Sequence, residues 1–213
     1  MTVTVLHEIG MKHGTDKATF HGYLDFYEQQ LPGPEFAGTL LEIGVMDGAS
    51  LKMWREYYEL ALIVGIDPHR PTKVNGCCVY PFDATDPDQI AELTYGSDPS
   101  FSGLGPFDVI IDDGSHMTAD QQKSFELLWP AVAPGGVYVI EDLHTSYMSN
   151  YVNSQLTTLE WLSMLDLDVT FWGRAQGDAA GFVTRHGFPA DALEWTGPEV
   201  AESITAVIRA ERK

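Results

Sequence analysis

Only two cysteines occur in this chain, and they are neighbours, Cys77 and Cys78. Adjacent residues are poorly placed for an unstrained disulfide, and a vicinal pair does not make a zinc site. Both are expected to be reduced strand residues, consistent with a reducing compartment. Cationic residues are also scarce: 12 Lys and Arg stand against 31 Asp and Glu, a formal charge of −19. Affinity for a duplex comes mostly from cations on phosphates, so nucleic acid is excluded as a partner. The acidic surface keeps the protein soluble, and would also attract a cationic substrate at long range. No apolar run approaches the ~20 residues a bilayer crossing needs, and Met1 to Gly10 shows no basic-then-apolar leader. A cytoplasmic protein without a membrane partner is expected.

With 213 residues the chain suits one well-buried domain. It is read as one unit, 1–213, with an N-terminal cap or substrate segment over 1–36 and a core over 37–213. No repeat or long linker interrupts it. Helices are expected at His21 to Gln30, ending before Pro32-Gly33-Pro34, and at Ser50 to Tyr58. A third should span Pro87 to Tyr95, with Asp86 as N-cap and Pro87 at its first position. Two more are expected at Asp120 to Trp129 and Ser154 to Leu165. Strand patterns occupy Thr39 to Ile43, Leu62 to Ile66, Cys77 to Tyr80 and Phe107 to Ile111. Others follow at Val137 to Ile140, launched by the turn Pro134-Gly135-Gly136, at Val169 to Trp172, and alternating over Ile204 to Ile208. Strands separated by helices imply an α/β fold, a Rossmann-like, doubly wound, mostly parallel sheet of about seven strands. Such sheets bind ligands beyond the carboxyl ends of their strands.

The residues that end each apolar run therefore carry the chemistry. After the first strand comes Glu42-Ile43-Gly44-Val45-Met46-Asp47-Gly48-Ala49-Ser50. Gly44 and Gly48 permit a sharp turn and close approach to a ligand, and a helix opens near Ser50 with free amides. Met46 stands where a dinucleotide fingerprint needs its second glycine. Asp67, before Pro68, suits both hydroxyls of a ribose, although an aspartate beside proline also serves as a turn residue. Asp83 is placed to meet an adenine amino group, and equally fits a polar turn. Glu42, Gly44, Ser50, Asp67, Asp83 and Asp112 together read as a nucleoside pocket without a pyrophosphate site, as S-adenosylmethionine requires.

Strand four ends in Asp112-Asp113-Gly114-Ser115-His116, and strand five in Glu141-Asp142. If these strands are neighbours, about 4.8 Å apart, their carboxylates converge. Asp113, Glu141 and Asp142 then make an all-oxygen site suited to Mg²⁺ or another hard divalent cation; individually each could simply cap a turn. His116, three residues beyond Asp113, is the candidate general base, and His144 the second choice.

Gly14-Thr15-Asp16-Lys17, His21-Gly22-Tyr23, the Ile-Asp-Asp-Gly-Ser-His run and Val-Ile-Glu-Asp resemble the macrocin and mycinamicin sugar O-methyltransferases over about Gly14 to Tyr147. The resemblance implies S-adenosylmethionine and Mg²⁺ as cofactors and a deoxysugar hydroxyl of a glycoside as acceptor. It also implies metal ligation by Asp113, Glu141 and Asp142, and proton removal by His116. Asp16, Lys17, His21 and His144 receive no role. Several members carry a large additional N-terminal domain not seen here, so the substrate pocket is expected from the N-terminal segment, the loop after Asp142, and a neighbouring subunit of a homo-oligomer. A catechol-type methyltransferase on an aromatic diol and a non-catalytic nucleoside-binding module remain alternatives. An NAD-dependent oxidoreductase is disfavoured by Met46 and by the lack of a clear Tyr-x-x-x-Lys pair.

Overall fold

The computed structural model describes residues 4–69, 73–96, 102–175, 193–195 and 203–211. Among these residues eight strands form one sheet: β1 (Thr39–Ile43), β2 (Leu62–Ile66), β3 (Cys78–Tyr80), β4 (Phe107–Asp112), β5 (Val132–Ile140), β6 (Asp168–Ala175), β7 (Leu193–Trp195) and β8 (Ser203–Arg209). Their spatial order is β3-β2-β1-β4-β5-β8-β6-β7. The first five are mutually parallel, and β8 runs antiparallel to both β5 and β6. This is the doubly wound α/β class expected, with eight strands rather than seven, the short β7 being the one the sequence pattern did not suggest.

Six α-helices accompany the sheet among the described residues: α1 (Val5–His13), α2 (Leu24–Gln30), α3 (Ala49–Tyr57), α4 (Pro87–Tyr95), α5 (Thr118–Leu128) and α6 (Thr158–Met164). Local chemistry accounts for their ends. Asp86 caps α4 by accepting from the amides of Asp88 and Gln89, and Pro87 occupies a position that has no amide partner to lose. Thr157 and Glu160 form a reciprocal capping box at α6, so this helix starts later than the apolar pattern over Ser154 to Leu165 suggested. The expected helix over His21 to Gln30 divides: Lys17–His21 is a single π-helical turn, Gly22 takes a left-handed conformation, and α2 begins only at Leu24. A wide turn of this kind is frequent at functional sites.

Two expectations about strands need correction. Pro134-Gly135-Gly136 does not precede β5 but lies inside it, because the β4–β5 register shifts between Phe107 and Val109 and Gly135 takes φ 78°. An irregularity of this kind absorbs residues that would otherwise end a strand. Nor does β8 alternate between core and solvent: Ser203 to Ile208 is buried throughout, since β8 lies between β5 and β6 and both its faces are covered.

Side-chain alternation divides the core in two. Leu41, Ile43, Ile110, Tyr138 and Ile140 pack on one face with α4, α5 and α6 residues such as Ile90, Phe125 and Leu159. Leu40, Val109, Ile111, Val137 and Val139 pack on the other, against Leu6, Tyr27 and Trp54 from α1, α2 and α3. Between β1 and β4 the strand order reverses direction, with β2 and β3 on one side and β5 on the other. A crevice opens at such a point.

Gly44, directly beyond β1, shows how tightly this crevice is drawn. Its φ is +86°, and a Cβ there would stand 2.0 Å from the backbone oxygen of Asp113. A Gly44→Ala variant should therefore lose stability. Left-handed strain at a non-glycine residue alone costs about 1–3 kcal/mol, and the clash is with backbone, which cannot rotate away. Gly114→Ala is the control, since its Cβ would meet nothing nearer than 3.3 Å. Equilibrium urea unfolding should show a clearly larger loss for Gly44→Ala; equal losses would refute the close-approach account.

Candidate active site at the carboxyl ends of the central strands

Hydrogen bonding carries the parallel ladder one residue past each strand. The amide of Gly44 donates to Ile66, that of Asp113 to Ile43, and that of Glu141 to Asp112, at 2.9, 3.0 and 2.9 Å. Asp67, Gly44, Asp113 and Glu141 thus form one row across the sheet edge. Alternation then decides where each carboxylate goes. Glu42, Asp113 and Glu141 continue the series of Leu40, Ile111 and Val139, whose side chains face α1, α2 and α3. Asp112 continues that of Ile110 and points to the opposite face, where Tyr138 donates to it at 3.1 Å.

On the first face a single lysine, among the described residues, meets the carboxylates. Lys17 is fully buried. Its ammonium donates to Asp113 Oδ2 and, at 2.9 Å, to Glu141 Oε2, and lies 3.3 Å from Glu42 Oε1. Burial by itself pulls the Lys17 pKa down, but the three carboxylates outweigh it and hold the ammonium well above its ordinary value. One positive charge cannot neutralise three negative ones in a buried space. The carboxyls of Glu42, Asp113 and Glu141 are accordingly raised, burial being the largest cause in each.

Asp142 is the contrasting carboxylate. Its backbone is left-handed, φ 55°, which turns its side chain away from the row. Oδ1 accepts from Tyr23 at 2.7 Å and lies 3.4 Å from His21 Nδ1 and 3.8 Å from His144 Nδ1; Oδ2 lies 3.4 Å from His116 Nε2. Burial raises its pKa, yet His21, His116, Tyr23 and His144 together bring it below the ordinary value. His116, also left-handed at φ 60°, places Nε2 3.9 Å from Asp113 Oδ1. Ligand atoms of Asp113, His116 and Asp142 all fall within 4.8 Å of one another. Among the described residues only Met46, His116 and Asp142 combine a side chain with positive φ. Such conformations persist where the surroundings impose them, as they do at functional sites.

A cavity of about 500 Å³ adjoins this cluster, bordered by Thr15, Asp16, Gly44, Ser50, Asp113 and His116. A second, of about 260 Å³, extends over the opposite face past Asp83, Asp112, Gln121 and Ser124. Gly44, Asp67, His69 and Gly114 border both. Asp67 stands at the junction, and its carboxylate already accepts from the amides of Val45 and Met46, at 3.1 and 3.2 Å, and of His69 at 2.8 Å. Asp83 likewise accepts from Thr85 through both amide and hydroxyl, each at 2.8 Å. In the second cavity burial pushes Asp112 up to about 7, against the opposing effects of the Gly114 amide and Tyr138.

The residues singled out from sequence thus separate into groups. Gly44, Ser50 and Asp67 line the first cavity, Asp83 and Asp112 the second. Glu42 is buried behind them, accepting from Ser50 at 2.7 Å. Asp113, His116 and Asp142 converge, whereas Glu141 is turned toward Lys17. Lys17, Tyr23 and His21, to which sequence reasoning attached no role, contact the cluster directly. The Gly-Thr-Asp-Lys and His-Gly-Tyr runs were their only visible signal.

Comparison with known proteins agrees with this architecture. A family model described as a methyltransferase domain matches residues 41–143. The 8-demethyl-8-alpha-L-rhamnosyl tetracenomycin-C 2'-O-methyltransferase of Streptomyces olivaceus is 37% identical over 152 residues, covering 65% of this chain and 38% of the relative. Demethylmacrocin O-methyltransferase of Streptomyces fradiae is 34% identical over 170 residues, covering 69% of this chain and 40% of the relative. The chain therefore spans less than half the length of these two relatives. Among solved structures, the MycE methyltransferase from the mycinamycin biosynthetic pathway, in complex with Mg and SAH, superposes with a TM-score of 0.71 at 26% identity, covering 99% of this chain and 56% of that one. In sequence and in fold, the chain is similar to the macrocin- and mycinamicin-type sugar O-methyltransferases over the part of their length that it spans.

Proposed function

We propose that the chain transfers the methyl group of S-adenosylmethionine to a sugar hydroxyl of a glycosylated natural product, with the help of a divalent cation. The observation that carries this reading is the convergence of Asp113, His116 and Asp142 beside a cavity that continues over Asp67. The cofactor fits on two counts. Gly44, drawn against the Asp113 backbone, lines both cavities without a side chain to fill either, and the paired cavities offer separate space for a base and an amino-acid moiety on either side of Asp67. A hard cation fits the cluster because its donors are carboxylate oxygens beside one imidazole. It also fits the charge, since Asp113, Glu141 and Asp142 bring more negative charge than Lys17 offsets.

When bound, the cofactor supplies an electrophilic methyl group, and the cation supplies Lewis acidity that makes an alcohol easier to deprotonate. Asp113 and Asp142 would hold the cation; Asp67, with Gly44 and Asp83, would hold the nucleoside. His116 is the base: its Nε2 lies 3.4 Å from Asp142 Oδ2 and 3.9 Å from Asp113 Oδ1, next to the position a cation-bound hydroxyl would take. Tyr23 and His21 keep Asp142 ionised and oriented. Burial of the cluster's inner wall by Glu141 and Lys17 excludes water from that side.

Mass spectrometry of products formed from deuteromethyl-labelled S-adenosylmethionine with panels of glycosides and of catechols tests the acceptor class. Labelled catechol without labelled glycoside would overturn the sugar assignment. Asp67→Ala should weaken cofactor binding by about 1.5–3 kcal/mol, the worth of charge-assisted hydrogen bonds. It should also lower the melting temperature, because three backbone amides lose their acceptor. Calorimetry returning wild-type affinity would remove Asp67 from the cofactor site.

The base and the cation ligands should separate in a magnesium titration. His116→Ala is expected to lower kcat by roughly 10²–10⁴, the usual worth of a positioned base, with the half-saturating Mg²⁺ concentration nearly unchanged. Asp142→Asn should instead raise that concentration steeply. If both variants shift the magnesium dependence equally, His116 is a ligand and not the base.

A further inference from the structure

An ammonium has three N–H donors and no acceptor, and Lys17 meets three carboxylates, one at the end of each of three strands: Glu42, Asp113 and Glu141. The side chain is fully buried, so no water competes for those donors. An amine hydrogen-bonded to two of these carboxylates, ion-paired with the third and buried away from solvent is not free to shuttle protons to an acceptor. Its stem enters from the π-helical turn Lys17–His21, outside the sheet, and its charge lies among side chains that the sheet supplies.

Asp113 is shared. Oδ2 accepts from Lys17, while Oδ1 faces the cluster with His116 and Asp142. One carboxylate bridging two cation-binding positions is the arrangement of a two-metal site, in which closely spaced cations share ligands. Here one of the two positions is filled by a side chain. Glu141 completes it: Oε2 accepts from Lys17, and the other oxygen, Oε1, is buried without a hydrogen-bond partner among the described residues. That leaves an oxygen donor in reserve for a cation larger in charge than an ammonium.

We infer that the Lys17 ammonium occupies the second of two cation positions bridged by Asp113, and so restricts the chain to a single divalent ion, a reading that rests on the metal site proposed above. Lys17 is on this account a positioning residue. It holds Asp113 and Glu141 in register without itself touching the acceptor. Removing the ammonium together with its stem opens a space lined by three carboxylates, which a second hard divalent cation should enter.

The test is Mn²⁺ binding to the full chain, followed by calorimetry and by electron paramagnetic resonance of free Mn²⁺, in wild type, Lys17→Ala and Lys17→Met. Wild type should take up about one ion per chain and Lys17→Ala about two, since Mn²⁺ accepts the same oxygen donors as Mg²⁺. Saturating Mn²⁺ should also raise the melting temperature of Lys17→Ala more than that of wild type. Lys17→Met keeps the stem as far as Cε and vacates only the ammonium position, so it should also bind a second ion, more weakly than Lys17→Ala because an apolar methyl group borders the opening. One ion in both wild type and Lys17→Ala would overturn the two-position account while leaving the metal site standing. No ion in wild type but one in Lys17→Ala would overturn the metal reading of Asp142 and uphold the ammonium as a cation surrogate. No ion in either would overturn both. A Lys17→Ala chain that stays unfolded at saturating Mn²⁺ would also overturn the account.

Discussion

Negative charge concentrated at the ends of adjacent strands is the constraint around which this molecule is arranged. Parallel strands bring their termini to one edge, and the ladder of amides beyond Ile43, Ile66 and Asp112 fixes those termini in a row. With carboxylates at Glu42, Asp113, Glu141 and Asp142, that edge would repel itself or retain protons. Lys17 answers the inner three and the histidines around Asp142 answer the outer one. Breaking such a buried arrangement by removing one partner is far more costly than its net contribution suggests, because the remaining charges are left in a medium that cannot solvate them.

The N-terminal segment is therefore part of the site. The turn and helix that carry Lys17, His21 and Tyr23 pack on the sheet face that bears Glu42, Asp113 and Glu141. Tyr23 reaches Asp142 with its hydroxyl and Tyr27 reaches Thr205 of β8 at 2.9 Å, so the same segment spans the site and the antiparallel strand beside it. His21 stacks on Tyr23, their ring centroids 5.0 Å apart, and contacts Ser203 at 2.8 Å. Apolar packing of Leu6, Leu24 and Tyr27 supplies the adhesion, and the polar tips supply the register.

The two faces of the sheet divide the chemistry between them. Period-two alternation sends Asp112 toward Tyr138, Gln121 and the second cavity, while its neighbour Asp113 faces Lys17 and the cluster. Two consecutive aspartates thus experience different surroundings. A shift of one residue in the β1–β4 register would exchange them, which is why the close contact at Gly44 matters beyond the glycine itself.

Much of this was legible in the amino-acid order. Apolar runs bounded by Gly, Pro and Asp located β1 and β2 to the residue, and Asp86-Pro87 located the start of α4. Those signals are local: a cap or a buried run acts on its own few residues. The sequence by itself also determined the class of sheet and the crowding of carboxylates at its strand ends, because alternation of strands and helices leaves few other topologies. It did not determine that Pro134 to Gly136 lies within β5, which depends on a register shift against β4, or that β8 is buried on both faces, which depends on β6. Nor could it say which carboxylates share a cation. Lys17 is 96 residues from Asp113 and 124 from Glu141 along the chain, and no local pattern links them. Only the tertiary structure decided that partnership, since the pairing of buried charges is set by which strand ends and which turn are brought to the same face.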